Sequence, residues 1–265
     1  DSLAFGELKK NNSLSLRISP QVYGVGLLEA IEESDILMKA DKNDLDNDGI
    51  SGIARMVKNE LGKYVVGRFG VRASTPNLTV QSGVAFMHDM GLSNDIGQNP
   101  FGDCTKEQEE CFKFLTGINE NDNVEVTNEM LEKVVFYLSS LSPPKRRNVN
   151  NKDILKGKEI FYKSNCTSCH TPKYVTSRNA KFDFLKFQLI WPYTDLLLHD
   201  MGDHLADKNL NGEVTNREWK TPPLWGIGLA KTVNPRATYL HDGRANNILE
   251  AILLHGGEAE NSIEF

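Results

Sequence analysis

Apolar residues recur at intervals of three and four between positions 126 and 141: Met130, Leu131, Val134, Val135, Leu138 and Leu141. That period marks one face of an amphipathic helix, and Thr127 stands where its cap belongs. Residues 78–90 are apolar enough for a buried helix, which carries Phe86, Met87, His88 and Met90. A shorter helix is predicted over 24–31; its glycines do not have the spacing of a phosphate loop. A further helix starts at Asp153 as cap and runs through Phe161 and Tyr162. Near the end, Ile248, Ile252 and His255 fall at i, i+4 and i+7, so His255 joins an apolar face. Asn247 with Glu250 three later resembles a capping box, and Gly256 is a natural stop. Ser142-Pro143-Pro144-Lys145-Arg146-Arg147 interrupts the pattern, since paired prolines and a charge run make a linker. The pattern predicts a mainly α-helical chain with long irregular loops: a first domain over 1–141, a linker over 142–152 and a second domain over 153–265.

Composition sets bounds on this picture. The 265 residues are 39% hydrophobic and 25% charged, a globular balance. The formal net charge is -6, and no basic tract points to nucleic acid. No run of about 18 apolar residues exists, so no membrane span is expected. No signal peptide is visible, and a chain that opens on Asp1 and stops on Phe265 reads as an excised part of a longer product. The four cysteines form two local pairs. Cys104 and Cys111 are expected to form a disulfide, with two buried thiols as the plain alternative; a bridge fits an oxidising, extracytoplasmic compartment such as the periplasm.

The other pair lies in Cys166-Thr167-Ser168-Cys169-His170, the attachment pattern of c-type haem. On a helical turn, positions i, i+3 and i+4 share a face. Two thioethers and one axial imidazole would then reach the same porphyrin. A plain dithiol, a disulfide or half a zinc site uses the same residues. Zinc needs a second ligand pair, and nothing nearby offers one. Asp44, Asp46 and Asp48 before Gly49 match the start of a calcium loop, but the twelfth position is Arg55 where a bidentate Glu is wanted. A remote ligand would have to complete that shell; a solvated acidic turn is the plain alternative. Asp207 to Gly212, with Glu218 six later, fits the same pattern and reads first as a surface loop. His-Asp-Met-Gly occurs at 88–91 and again at 199–202, and Thr221-Pro222-Pro223-Leu224 echoes Thr75-Pro76-Asn77-Leu78. These echoes hint at two related halves.

The haem motif, His199-Asp-Met-Gly202, Thr221-Pro-Pro-Leu224, Tyr239-Leu-His-Asp-Gly-Arg-Ala245 and Glu250-Ala-Ile252 together resemble the di-haem cytochrome c peroxidase superfamily. Asp44-Leu-Asp-Asn-Asp-Gly-Ile-Ser-Gly52, Gly67-Arg-Phe-Gly70 and Thr194-Asp-Leu-Leu-Leu-His-Asp-Met-Gly202 are similar to its thiol oxidoreductase, or di-haem oxidoreductase, branch. The resemblance implies two cytochrome-c-like domains in tandem, a haem c and an oxidoreductase of the peroxidase type. It implies a small redox protein as electron donor or acceptor, and peroxide as a candidate substrate. It puts the sixth iron ligand fourteen positions past His241, at His255. Relatives carry Met or Tyr there; a histidine gives a bis-histidine iron that relays electrons. Met201 is the alternative ligand. His199 and His241 are expected to support the site, Arg244 and Arg68 to pair with haem propionates or make surface salt bridges, and His88 or Met90 to lie near a first haem. Trp191, Trp219 and Trp225 are core residues or an electron path. The family has two haems and this chain one Cys-x-x-Cys-His, so the first attachment motif is expected before residue 1. Peroxidase chemistry in the superfamily belongs to that first haem. A non-catalytic electron carrier and a haem-free dithiol protein are the alternatives.

Overall fold

The computed structural model describes residues 15–207 and 215–263. In chain order its elements are α1 (Val25–Glu29), α2 (Glu33–Leu37), β1 (Met56–Lys58), β2 (Tyr64–Val66), α3 (Leu78–Met90), α4 (Asn128–Ser140), α5 (Lys152–Lys163), β3 (Tyr174–Val175), β4 (Leu189–Ile190), β5 (Leu198–Asp200), β6 (Glu218–Lys220), α6 (Ala230–Val233), α7 (Ile248–Leu253) and α8 (Glu260–Ile263). Helix takes only 33% and strand 10%. The expected mainly α-helical pair of cytochrome-c-like domains is therefore wrong. Eight short helices stand beside three antiparallel ribbons, β1–β2, β3–β4 and β5–β6. The long polar stretches organise themselves through side-chain to backbone bonds instead of extending helices. Asn94, Asn99 and Asn119 each accept a hydrogen bond from the N–H two residues on. Such Asx turns compete with helix for the same backbone groups.

The helices that do form start where the chain supplies a cap. Asn77 accepts from Val80 N at 2.9 Å and opens α3, whose span is the predicted one. Thr127 accepts from Met130 N at 3.4 Å and opens α4, slightly shorter than predicted. The cap of α5 is Asn151, not Asp153. Its Oδ1 takes the N–H groups of Asp153 (2.8 Å) and Ile154 (3.4 Å), which leaves Asp153 in the first turn, where a carboxylate suits the helix dipole. Asn247 caps α7 through Glu250 N as expected, but α7 stops at Leu253, so His255 lies just beyond it.

One apolar core holds these pieces. Val25, Leu28 and Ile31 pack with Leu78, Leu131 and Val135, and the same cluster takes in Tyr174, Ile190, Leu196, Leu197 and Trp225 from beyond the proline-rich linker. Burying each large aliphatic side chain contributes about 1.5–3 kcal/mol. Strand β5 is held on both edges: Leu198 pairs with Lys220 of β6 and exchanges two hydrogen bonds of 2.9 Å with Ile53. The repeated His-Asp-Met-Gly has two conformations. At 88–91 it ends α3, and at 199–202 it leaves β5.

The α1–α4 crossing depends on Gly26. A Cβ there would sit 2.4 Å from Ser139 O and 2.6 Å from Ser139 Cα. Backbone cannot yield as a flexible side chain would, so Gly26→Ala should force the helices apart. The expected loss is about 1–3 kcal/mol, read as a lower urea midpoint; an unchanged midpoint would refute the crossing.

Candidate functional site

α5 delivers the chain into a turn over residues 164–170. His170 N donates to Cys166 O at 2.9 Å, a single α-type turn that gathers Cys166, Cys169 and His170 without a continuing helix. Phe161 at the end of α5 lies 6.2 Å from the His170 ring and 5.7 Å from that of Tyr193. Tyr193 adopts a left-handed backbone (φ 55°), and its carbonyl lies 2.9 Å from His170 Nδ1. A carbonyl only accepts, so Nδ1 carries the hydrogen and Nε2 keeps its lone pair. His170 is half-buried, and the desolvation it meets outweighs the bond to Tyr193 and brings its pKa down to about 4. The field of His255 acts in the same direction on His170.

His255 has the same arrangement. Its Nδ1 lies 2.7 Å from Ala251 O, one helical turn back, so Nδ1–H donates and Nε2 is left unclaimed among the described residues. The turn that follows packs backbone to backbone against the end of β5. A Cβ on Gly257 would stand 2.3 Å from Asp200 O and 2.6 Å from Gly202 N, a place open only to glycine at its φ of 56°. Met201, the alternative ligand, is half-buried, and its carbonyl faces Gly256. The structure thus brings the backbone of Met201 beside the His255 turn.

The link between the two histidine-bearing turns is His199. It is 3% exposed. Its Nε2 lies 2.7 Å from Asp195 Oδ2 and its Nδ1 2.8 Å from Glu258 Oε2, with Cys169 Sγ 3.5 Å from the same nitrogen. Glu258 also accepts from Ser51 Oγ at 2.6 Å, which ties in the first half of the chain. Burial alone would lower the His199 pKa, but the bonds to Asp195, Cys169 and Glu258 prevail and hold it well above 6.5. His199 is an imidazolium between two carboxylates. Asp195 and Glu258 were missed in the sequence; the signal was a carboxylate inside the apolar run Thr194-Asp195-Leu196-Leu197-Leu198.

The other candidates lie elsewhere or are already engaged. Arg244 is forked onto Asp242 (Nε 2.7 Å, Nη2 2.6 Å) and also donates to His204 O. Arg68 is buried and donates Nη1 to the carbonyls of Leu28, Glu29 and Ile31 at the end of α1. His241 stacks on Trp219 at 3.5 Å, and Arg72 covers the same indole at 4.0 Å. His88 meets Asp103 at 3.2 Å on the surface, and Met90 is 63% exposed. Cys104 and Cys111 form the expected disulfide. Of the predicted calcium trio, Asp44 and Asp46 come together with Asp41, their ligand atoms within 4.8 Å of one another. Asp48 Oδ1 instead accepts from Ile50 N. In the other acidic loop, Asp207 pairs with Arg17 and Arg72, and residues 208–214 lie outside the described residues. No described helix is long and apolar enough to cross a membrane.

A family model described as "Di-haem oxidoreductase, putative peroxidase" matches residues 4–265. The chain belongs to that family. No curated protein and no solved structure matches it. For this member of the family the donor set suits haem: two thiols on one turn and two imidazoles, each with Nδ1 tied to a backbone carbonyl. Such a bond fixes the tautomer and ring orientation of a metal-binding histidine.

His199→Gln leaves two buried carboxylates without their cation and should cost about 3–5 kcal/mol in urea unfolding. A pKa raised on folding stabilises fully below the unfolded value, near 6.5, and that contribution fades as pH climbs through the higher folded value. Wild-type stability should therefore decline into the alkaline range, and the variant should lack that component of the slope. Identical pH profiles for both proteins would exclude the imidazolium.

Proposed function

We propose that this chain is a c-type haem oxidoreductase that passes electrons, in which Cys166 and Cys169 would bond the haem and His170 and His255 would bind its iron. The observation that carries the reading is the matched pair of histidines, each turning Nδ1 to a backbone carbonyl and so leaving Nε2 for a metal. Bound haem supplies one-electron chemistry at iron. His170 and His255 would both bind the metal and leave peroxide no place on it, which would make the chain's role relay between redox partners. Cys166 and Cys169 fix the macrocycle covalently. Exposed apolar side chains on the helices that lead to each ligand support the same reading: Leu155 and Ile160 on α5 and Ile252 and Leu253 on α7 are 49–60% exposed. That is surface of the kind a porphyrin covers, and about 25 cal/mol per Å² favours covering it.

The haem-free dithiol is the weaker reading. Burial pushes both the Cys166 and the Cys169 thiol up, whereas a reactive dithiol needs its thiolate stabilised. The Cys104–Cys111 bridge fits an extracytoplasmic setting, where disulfides persist and a small redox protein would exchange electrons with the chain.

Protein matured with haem-attachment machinery should exceed its 29.7 kDa polypeptide mass by one tetrapyrrole and show a low-spin spectrum. His255→Ala should turn that iron high-spin and let it bind cyanide. A matured protein with no bonded tetrapyrrole ends the proposal. A variant that stays low-spin moves the sixth ligand to Met201, to be checked with Met201→Leu.

A further inference from the structure

Between residues 145 and 190 the chain carries eleven Lys and Arg against three Asp and Glu, an excess of eight positive charges in a chain of formal net charge -6. The rest of the molecule is accordingly acidic. Two of the three acids are already paired, Glu159 with Lys163 and Asp183 with Lys186. This segment runs from the linker through α5 and the Cys166–His170 turn to β4, so the positive charge is concentrated in the stretch of chain that carries the attachment turn.

Trp191 stands within that charge. It is 41% exposed, whereas Trp219 and Trp225 are buried. Lys158 Nζ lies 5.7 Å and Lys173 Nζ 6.0 Å from its ring. Neither lysine makes an ion pair with a described residue. Lys158 also lies 5.8 Å from the Tyr162 ring. Two positions along from Trp191 is Tyr193, whose carbonyl orients His170. An exposed indole with unpaired cations at its rim has the make-up of an interface: an aromatic anchor that desolvates cheaply, and charges that steer the encounter.

We propose that the Trp191 face, rimmed by Lys158 and Lys173, is the docking surface for a small electron-transfer protein that presents an acidic face. The proposal rests on the haem reading above and adds the partner's charge and its place of contact. An acidic partner is repelled by most of this molecule and attracted here, so the field turns it toward the attachment turn. An anionic lipid surface would also meet positive charge. The exposed aromatic beside the His170 support favours a protein, because electron exchange needs registration with that turn and lipid adsorption does not. In the exchange the reduced partner loses one electron and the iron gains it; no bond forms or breaks and no proton moves.

The probe is reduced flavodoxin, an acidic one-electron donor, mixed with the haem-loaded chain. Its reduction rate should fall at least about tenfold between about 10 mM and 0.3 M ionic strength. The double variant Lys158→Glu/Lys173→Glu should lose about tenfold in rate and in flavodoxin affinity at low salt, with its absorption spectrum unchanged. Rates and affinities insensitive to salt and to the double variant would overturn the proposal. So would a double variant that loses only its binding to phosphatidylglycerol vesicles, which would assign the face to lipid. Affinity is measured by calorimetry and needs no haem. Lysine-dependent binding by a chain that leaves the haem-attachment machinery without haem would sink the haem reading and leave the surface standing; a low-spin haem protein without such binding would do the reverse.

Discussion

A positive charge buried between two carboxylates sets where the rest of the site can be. His199 is almost wholly removed from water, and removing an ion from water costs several kcal/mol unless partners compensate. Asp195 and Glu258 compensate, each within 2.8 Å. Because one partner belongs to the segment before β5 and the other to the turn after His255, satisfying the charge fixes those segments together. Cys169 is drawn against the same ring. Ser51 extends the lock to the first half of the chain through Glu258. Loss of any member strands a charge, so the assembly holds as a unit. The close backbone contact at Gly257 repeats the same junction in steric form.

The legible parts of this fold were the local ones. α3 and α4 could be read because an apolar stripe and a capping side chain lie within one short window. α5 was found but started two residues late, since Asn151 and Asp153 are equally good caps by residue type and only the hydrogen bonds decide. The fold class was not legible. Asn94, Asn99 and Asn119 direct long polar stretches into turns that have no hydrophobic period, and β3 and β4 are two residues each, too short for alternation to register. The echoed His-Asp-Met-Gly shows the same limit, because its surroundings decide between helix end and strand.

The site divides in the same way. Cys166, Cys169 and His170 are legible since five consecutive residues carry their whole geometry. His255 was legible as a position, but its tautomer depends on Ala251 O, a bond that only the ended helix provides. The Asp195–His199–Glu258 bridge spans up to 63 positions and leaves no periodic mark. The acidic loop gathers a different trio from the one its spacing suggests, and Asp44 and Asn47 both take left-handed backbone there (φ 46° and 59°). That turns Asp48 toward Ile50 N and brings Asp41 in from outside the pattern.

The charge map and the ligand set constrain each other. Two imidazoles on one metal remove its open position, so any traffic through the proposed haem is limited to electrons, and electrons need a partner held close. A chain with net negative charge would keep an acidic partner away on average, yet its excess of Lys and Arg is concentrated in the stretch that carries the attachment turn. Lys158 and Lys173 lie beside an indole and make no ion pair among the described residues. A stability argument gives them no role, because exposed cations beside an aromatic ring contribute only about 0.5–1 kcal/mol. Steering is the use that remains for charge so placed, since it acts over about 10 Å at moderate salt and costs the fold nothing.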